Sequence, residues 1–141
     1  MKIERSFTKS GQDAYAEVPY KAATSEIRNP DGTIVFKLEN CQIPIGWSQV
    51  ASDVIAQKYF RKAGVPSETV RVAEKGVPEF LWRSVPAEGA QMSGEISAKQ
   101  VFDRLAGAWT YWGWKGGYFT TEEDAQTYFD EMRYMLATQR A

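Results

Sequence analysis

The sequence predicts a small α+β fold, mainly helical, with three principal helices and one N-terminal β-hairpin. Three observations carry this. Three stretches set apolar residues at steps of three and four, the spacing of one helix face. One strong turn sequence, Asn29-Pro30-Asp31-Gly32, lies between two strand-like runs. Hydrophobic residues make up 43% of 141, with five Trp, seven Tyr and seven Phe, which is enough to fill one core.

Residues 1–22 show no clean period. Phe7, Tyr15, Val18 and Tyr20 are scattered among polar residues, which predicts an extended arm lying on a single small domain, 23–141. The hairpin is expected over 24–38. Pro30 presets φ in its turn, and Gly32 tolerates a positive φ. Thr33-Ile34-Val35-Phe36-Lys37-Leu38 continues as a β-branched and aromatic strand.

The first helix is expected at 47–63, with Trp47, Val50, Ala51, Val54, Ile55, Tyr59 and Ala63 on its core face. Gly64 would cap it and Pro66 stop it. Residues 65–96 are broken by Pro66, Gly76, Pro78, Pro86, Gly89 and Gly94. Pro78 could open a short helix through Glu79-Phe80-Leu81-Trp82, and 86–95 reads as a solvated, mobile loop.

The second helix is expected at 97–112. Ser97 and Gln100 form a capping box, and Val101, Phe102, Leu105, Ala108, Trp109 and Trp112 lie on one face. Gly113-Trp114-Lys115-Gly116-Gly117 would end it. The third spans 121–139, with a capping box of Thr120 and Glu123 and acidic Glu122, Glu123 and Asp124 in the first turn. It lacks a helix-ending Gly or Pro, which suggests an uncapped helix and a parent chain that continues.

Composition excludes several chemistries. There is no histidine, so a Ser-His-Asp triad, a Cys-His dyad and a Cys/His zinc site are absent. One cysteine, Cys41, rules out an internal disulfide and suits a reducing cytoplasm. The net charge of −1 offers no pull toward nucleic acid or an anionic membrane. No run approaches the ~18 apolar residues of a membrane span.

The remaining candidates each have a plain alternative. Cys41 could be a radical or redox thiol, but it has no basic sequence neighbour to activate it and reads as an ordinary reduced thiol. The stretch from Trp112 to Phe119 could cradle a phosphate or a base. It lacks the Walker and dinucleotide spacings, and reads better as a helix-stopping turn whose rings Trp112, Trp114, Tyr118 and Phe119 dock against another domain. Lys58, Arg61 and Lys62 could bind phosphate, or complement a helix C-terminus. Glu122, Glu123 and Asp124 could bind a metal, but successive helix residues diverge and capping is simpler. Trp47, Trp109 and Trp112 could line a cofactor, or belong to the core.

Five blocks in order carry a family resemblance: TSEIRNPDGTIVF (24–36), WSQVASDVIAQKYFRKAG (47–64), GVPEFLWRSVP (76–86), AKQVFDRLAGAWTYWGWKGGYF (98–119) and EEDAQTYFDEMRYMLATQRA (122–141). Together they resemble the N-terminal domain of class II, adenosylcobalamin-dependent ribonucleotide reductases, in the long bacterial form. The departure is a short loop at 87–95. The resemblance implies reduction of ribonucleotides to deoxyribonucleotides for DNA synthesis. In the family, adenosylcobalamin generates a thiyl radical on a barrel cysteine, and two further cysteines supply electrons. That α/β barrel, with its substrate site, is absent from this chain. No catalytic, cofactor-binding or metal residue can be carried over. The expectation is a structural domain without turnover of its own, partnered by the barrel. A nucleotide-effector or protein-binding module, or the small subunit of a naturally split reductase, are the alternatives.

Overall fold

The structure, a computed structural model, describes residues 1–140. Its order is β1 (Tyr20–Arg28), β2 (Ile34–Pro44), α1 (Gln49–Val54), a π-helical turn (Ile55–Tyr59), β3 (Val65–Pro66), β4 (Thr69–Arg71), a 3-10 turn (Glu79–Leu81), β5 (Ser84–Pro86), β6 (Met92–Ser93), α2 (Ala98–Lys115) and α3 (Glu122–Ala137). The α+β class holds, with a longer hairpin and three small sheets.

The hairpin turn works as its residues dictate. Gly32 takes φ +90° and donates to Asn29 O at 2.9 Å, and Asp31 Oδ1 accepts the Thr33 N–H at 2.8 Å. The register then shifts between Ala23 and Ser25, where Asn40 adopts φ 56°. Past that irregularity the ladder runs on to Tyr20 opposite Pro44. Cys41 and Ile43 thereby reach the core, where they meet Tyr15, Ile55, Phe60, Val101 and Phe102. Gln42 N–H donates to Ile96 O at 2.7 Å, which ties the hairpin to the start of α2.

The first helix is shorter than its apolar period suggested. Ser48 caps it, and the chain passes from α1 into one π turn and leaves the helix at Phe60. Arg61 N–H instead donates to the buried Glu95 carboxylate at 2.7 Å. Gly64 is not the cap, although its φ is +77°. The buried face is Ser52, Ile55, Ala56 and Phe60, about one residue round from the apolar stripe. Val50, Val54 and Tyr59 stay 73%, 48% and 55% exposed. Lys62 still serves the helix end, donating to Ala56 O at 2.7 Å and Gln57 O at 3.1 Å.

Residues 65–96 form two short antiparallel pairs, β3 with β6 and β4 with β5. The 3-10 turn after Pro78 occurs as expected. The stretch 86–95 is not wholly solvated. Glu95 is buried and accepts from Arg104 Nε at 3.1 Å, while the Arg104 guanidinium also reaches Tyr59 O.

Helix α2 starts on the Ser97–Gln100 capping box. It runs through Gly113 and stops at Gly116, with Gly117 left-handed at φ +73°. Tyr118 N–H to Gly113 O and Gly117 N–H to Trp114 O, both 3.0 Å, make a Schellman ending. A Cβ at Gly113 would lie 2.7 Å from the Phe119 ring, so that ring would have to shift to admit a larger residue. Helix α3 is capped by Thr121 with Asp124, one residue on from the expected Thr120 and Glu123. It is also capped at its end. Gln139, at φ 57°, donates to Leu136 O at 3.2 Å, and Arg140 N–H to Met135 O at 2.7 Å. This is a second Schellman ending, with glutamine where glycine is usual.

Candidate functional site

The acidic face of α3 binds the chain's own N-terminal arm. The Met1 ammonium donates to Tyr118 O and Thr120 Oγ1, both at 2.8 Å. Ile3 N–H donates to Asp124 Oδ1 at 2.9 Å. Glu131 then collects three successive backbone donors: Ser6, Phe7 (3.0 Å) and Thr8 (3.0 Å). Arg5 Nη1 lies 2.7 Å from Asp130 and its Nη2 3.2 Å from Glu123. Phe7 stacks on Tyr134, ring centroids 5.2 Å apart. An extended segment has open backbone donors; here α3 carboxylates satisfy several of them. Burial acts to push the Glu131 pKa up, and the backbone bonds outweigh it and hold the group below the usual carboxylate range. Asp124 is lowered chiefly by the Ile3 N–H. Glu123 and Asp124 are thus engaged by the arm and the cap, and no cluster able to hold a metal occurs among the described residues.

The four aromatic candidates separate into two pairs. Trp112 and Tyr118 are 65% and 66% exposed. Trp114 is half-buried and donates its indole N–H to Gly76 O at 2.7 Å. Phe119 packs on Tyr128, centroids 5.5 Å apart. Of the other rings, Trp47 packs on Phe102 at 5.7 Å and donates to Ala137 O at 2.8 Å. Trp109 is half-buried, whereas Trp112 is no part of the core. Cys41 is fully buried and its thiol donates to Ala23 O at 3.2 Å. Burial pushes its pKa up, away from the reactive thiolate.

Two clefts flank the end of α3. The larger, about 470 Å³, opens between α1, α2 and α3 and is walled by Trp47, Val54, Tyr59, Phe102, Leu105 and Leu136, among others. The smaller, about 260 Å³, lies toward Pro19 and Ile45 and shares Trp47 and Gln139 with the first. Sequence reasoning missed the larger cleft because it assigned most of its wall residues to helix core faces.

A family model described as class II vitamin B12-dependent ribonucleotide reductase matches residues 21–139. The chain belongs to that family. It is 61% identical over 99% of its length to a vitamin B12-dependent ribonucleotide reductase of Bradyrhizobium diazoefficiens, and 58% over 99% to one of Agrobacterium fabrum. A more distant reductase, from Streptomyces coelicolor, is 26% identical over 99% of the chain. In each case the chain spans about 12% of the relative's length. It corresponds to the N-terminal portion of these class II reductases.

The family's cofactor does not fit the larger cleft. At about 470 Å³ it matches a drug-sized ligand, and a corrin bearing a nucleotide tail and an adenosyl group is far larger. Its walls are apolar apart from Gln139, the Tyr59 hydroxyl and the Trp47 indole N–H, which Ala137 O already accepts. No helix is long and apolar enough to cross a membrane, among the described residues.

Proposed function

We propose that this chain is the non-catalytic N-terminal structural domain of an adenosylcobalamin-dependent ribonucleotide reductase. In this reading, reduction of ribonucleotides to deoxyribonucleotides takes place in the remainder of the protein, in a reducing cytoplasm. The domain's work is to pack against that remainder, and the exposed rings of Trp112 and Tyr118 belong to the contact. The observation that carries this is the thiol inventory. The chemistry needs a radical cysteine and a separate pair that supplies electrons. This chain has one cysteine, and its thiol is sealed in the core. Such a thiol behaves as a small apolar side chain. Adenosylcobalamin would bind elsewhere in the full-length enzyme, as would the substrate.

The test is Cys41→Ala in the full-length reductase. Turnover close to wild type is expected, with thermal stability monitored to separate folding from chemistry. Loss of turnover in a fully folded Cys41→Ala enzyme would overturn the reading.

A further inference from the structure

The end of α1 satisfies its backbone in an unusual way. An α-helix pairs each N–H with the carbonyl four residues back. Past Val54 the chain departs from that rule, and Phe60 N–H donates to Ile55 O, five residues back, at 3.0 Å. Such a π turn carries one residue more than an α turn. The groups that would continue the helix in the α register are held by side chains instead. Ala56 O and Gln57 O, the acceptors that Phe60 and Arg61 would use, take the Lys62 ammonium at 2.7 and 3.1 Å. Arg61 N–H donates to Glu95 Oε1 at 2.7 Å. Tyr59 O, the acceptor that Ala63 would use, takes the Arg104 guanidinium. Glu95 and Arg104 are themselves paired at 3.1 Å. Gly94 lets this clamp come close, because a Cβ there would lie 3.0 Å from both Arg61 O and Lys62 O.

We propose that α1 has a second state, an α-helix continuous through Ala63, and that Lys62, Glu95 and Arg104 form the latch that holds it off. The latch occupies the backbone groups that the longer helix needs, so the two states exclude each other. The end of the longer helix is already set. Gly64 stands at φ +77°, the left-handed conformation of the residue that follows a helix, with open space where a Cβ would lie. The core has a replacement ring at hand. In the α register Tyr59, not Phe60, donates to Ile55 O, so the Tyr59 ring turns into the direction that the Phe60 ring now has. Phe60 is 4% exposed in the observed state and Tyr59 55%. Ala51, Ile55, Tyr59 and Ala63 then stand at steps of four along one helix. Tyr59 also walls the larger cleft, so the latch sets whether this ring stands in the cleft or in the core. The inference concerns the domain's own fold and does not depend on its being non-catalytic.

The experiment is amide exchange over 61–63, read by mass spectrometry in the full-length reductase, for wild type, Glu95→Ala and Gly94→Ala. Glu95→Ala removes the acceptor of Arg61 N–H and the partner of Arg104. Gly94→Ala pushes the latch off the backbone without touching a charge. An ordinary helix end frays when its side-chain contacts are removed, and its exchange quickens. A latent helix gains backbone bonds instead. Exchange over 61–63 should therefore slow roughly threefold or more in both variants, with α2 and α3 unchanged. Adding Gly64→Ala to either variant should undo the gain, since the left-handed position disfavours a Cβ. Unchanged or faster exchange over 61–63 in either folded variant would sink the proposal, and so would a slowing that survives Gly64→Ala. If Glu95→Ala loosens α2 as well, Gly94→Ala decides. Loss of α2 protection in both variants would also count against it, because the second state would have failed to hold the released segment.

Discussion

Asp130→Ala is expected to destabilise this domain by about 3–5 kcal/mol, because it strands two buried or half-buried arginines. Asp130 is buried on α3. Its Oδ2 accepts from Arg5 Nη1 at 2.7 Å, and its Oδ1 from Arg133 Nη2 at 2.8 Å and Gln126 Nε2 at 3.0 Å. Arg133 is the more sensitive partner. It lies 4.0 Å over the Phe129 ring, and its Nε is already buried without a hydrogen-bond partner. Removal of the shared carboxylate leaves Arg133 only a 3.4 Å contact to Asp103. Urea unfolding of the purified chain would measure the loss. Glu123→Ala is the control. Its contact with Arg5 is exposed and 3.2 Å long, and its loss should cost within about 1 kcal/mol. Equal effects of the two changes would contradict the ranking.

Acidification is expected to release the N-terminal arm before the core unfolds. Glu131 and Asp124 both have folded-state pKa values below their unfolded ones. Their contribution is therefore complete above the unfolded carboxylate pKa and is lost as pH falls through the depressed folded value. Protonated Glu131 keeps less acceptor capacity for the N–H groups of Ser6, Phe7 and Thr8. Glu131→Gln should produce the released state at neutral pH. Each charged bond is worth about 1.5–3 kcal/mol, and the total is limited by the arm's own docking energy, since freed amides return to water. Tryptic cleavage at Arg5 and Lys9 is the readout. It should be slow at neutral pH in the wild type and fast in Glu131→Gln, while helices α2 and α3 stay protected. Equal cleavage of the two proteins would show that Glu131 does not hold the arm.

Local signals were the legible ones. The Ser97–Gln100 box and the Asn29–Gly32 turn depend on neighbours three or four residues apart, and both formed as read. The α3 cap was legible in kind and wrong by one residue, because Thr120-Thr121 followed by Glu122-Glu123-Asp124 offers two overlapping boxes. Sequence alone did not show which apolar stripe of α1 faces the core. Two stripes overlap there, and the choice depends on partners from α2 and the hairpin. The π turn and the Glu95–Arg61 bond that end this helix are tertiary features. The two small sheets, β3 with β6 and β4 with β5, have two or three residues per strand, too few for a period to register. The arm's attachment was hidden for another reason. Its acceptors on α3 lie over a hundred residues away, and the acidic first turn had a sufficient local explanation in the helix dipole. Among the four candidate interface rings, spacing did not separate Trp112 and Tyr118, which are exposed, from Trp114 and Phe119, which the domain itself engages.

The most direct measurement of the central claim is deoxyribonucleotide formation with adenosylcobalamin, a dithiol reductant and ribonucleotides. It would be run in parallel on the chain 1–141 and on the full-length reductase. The account predicts product from the full-length protein and none from the chain, whose one thiol is buried. Turnover by the chain alone would contradict it.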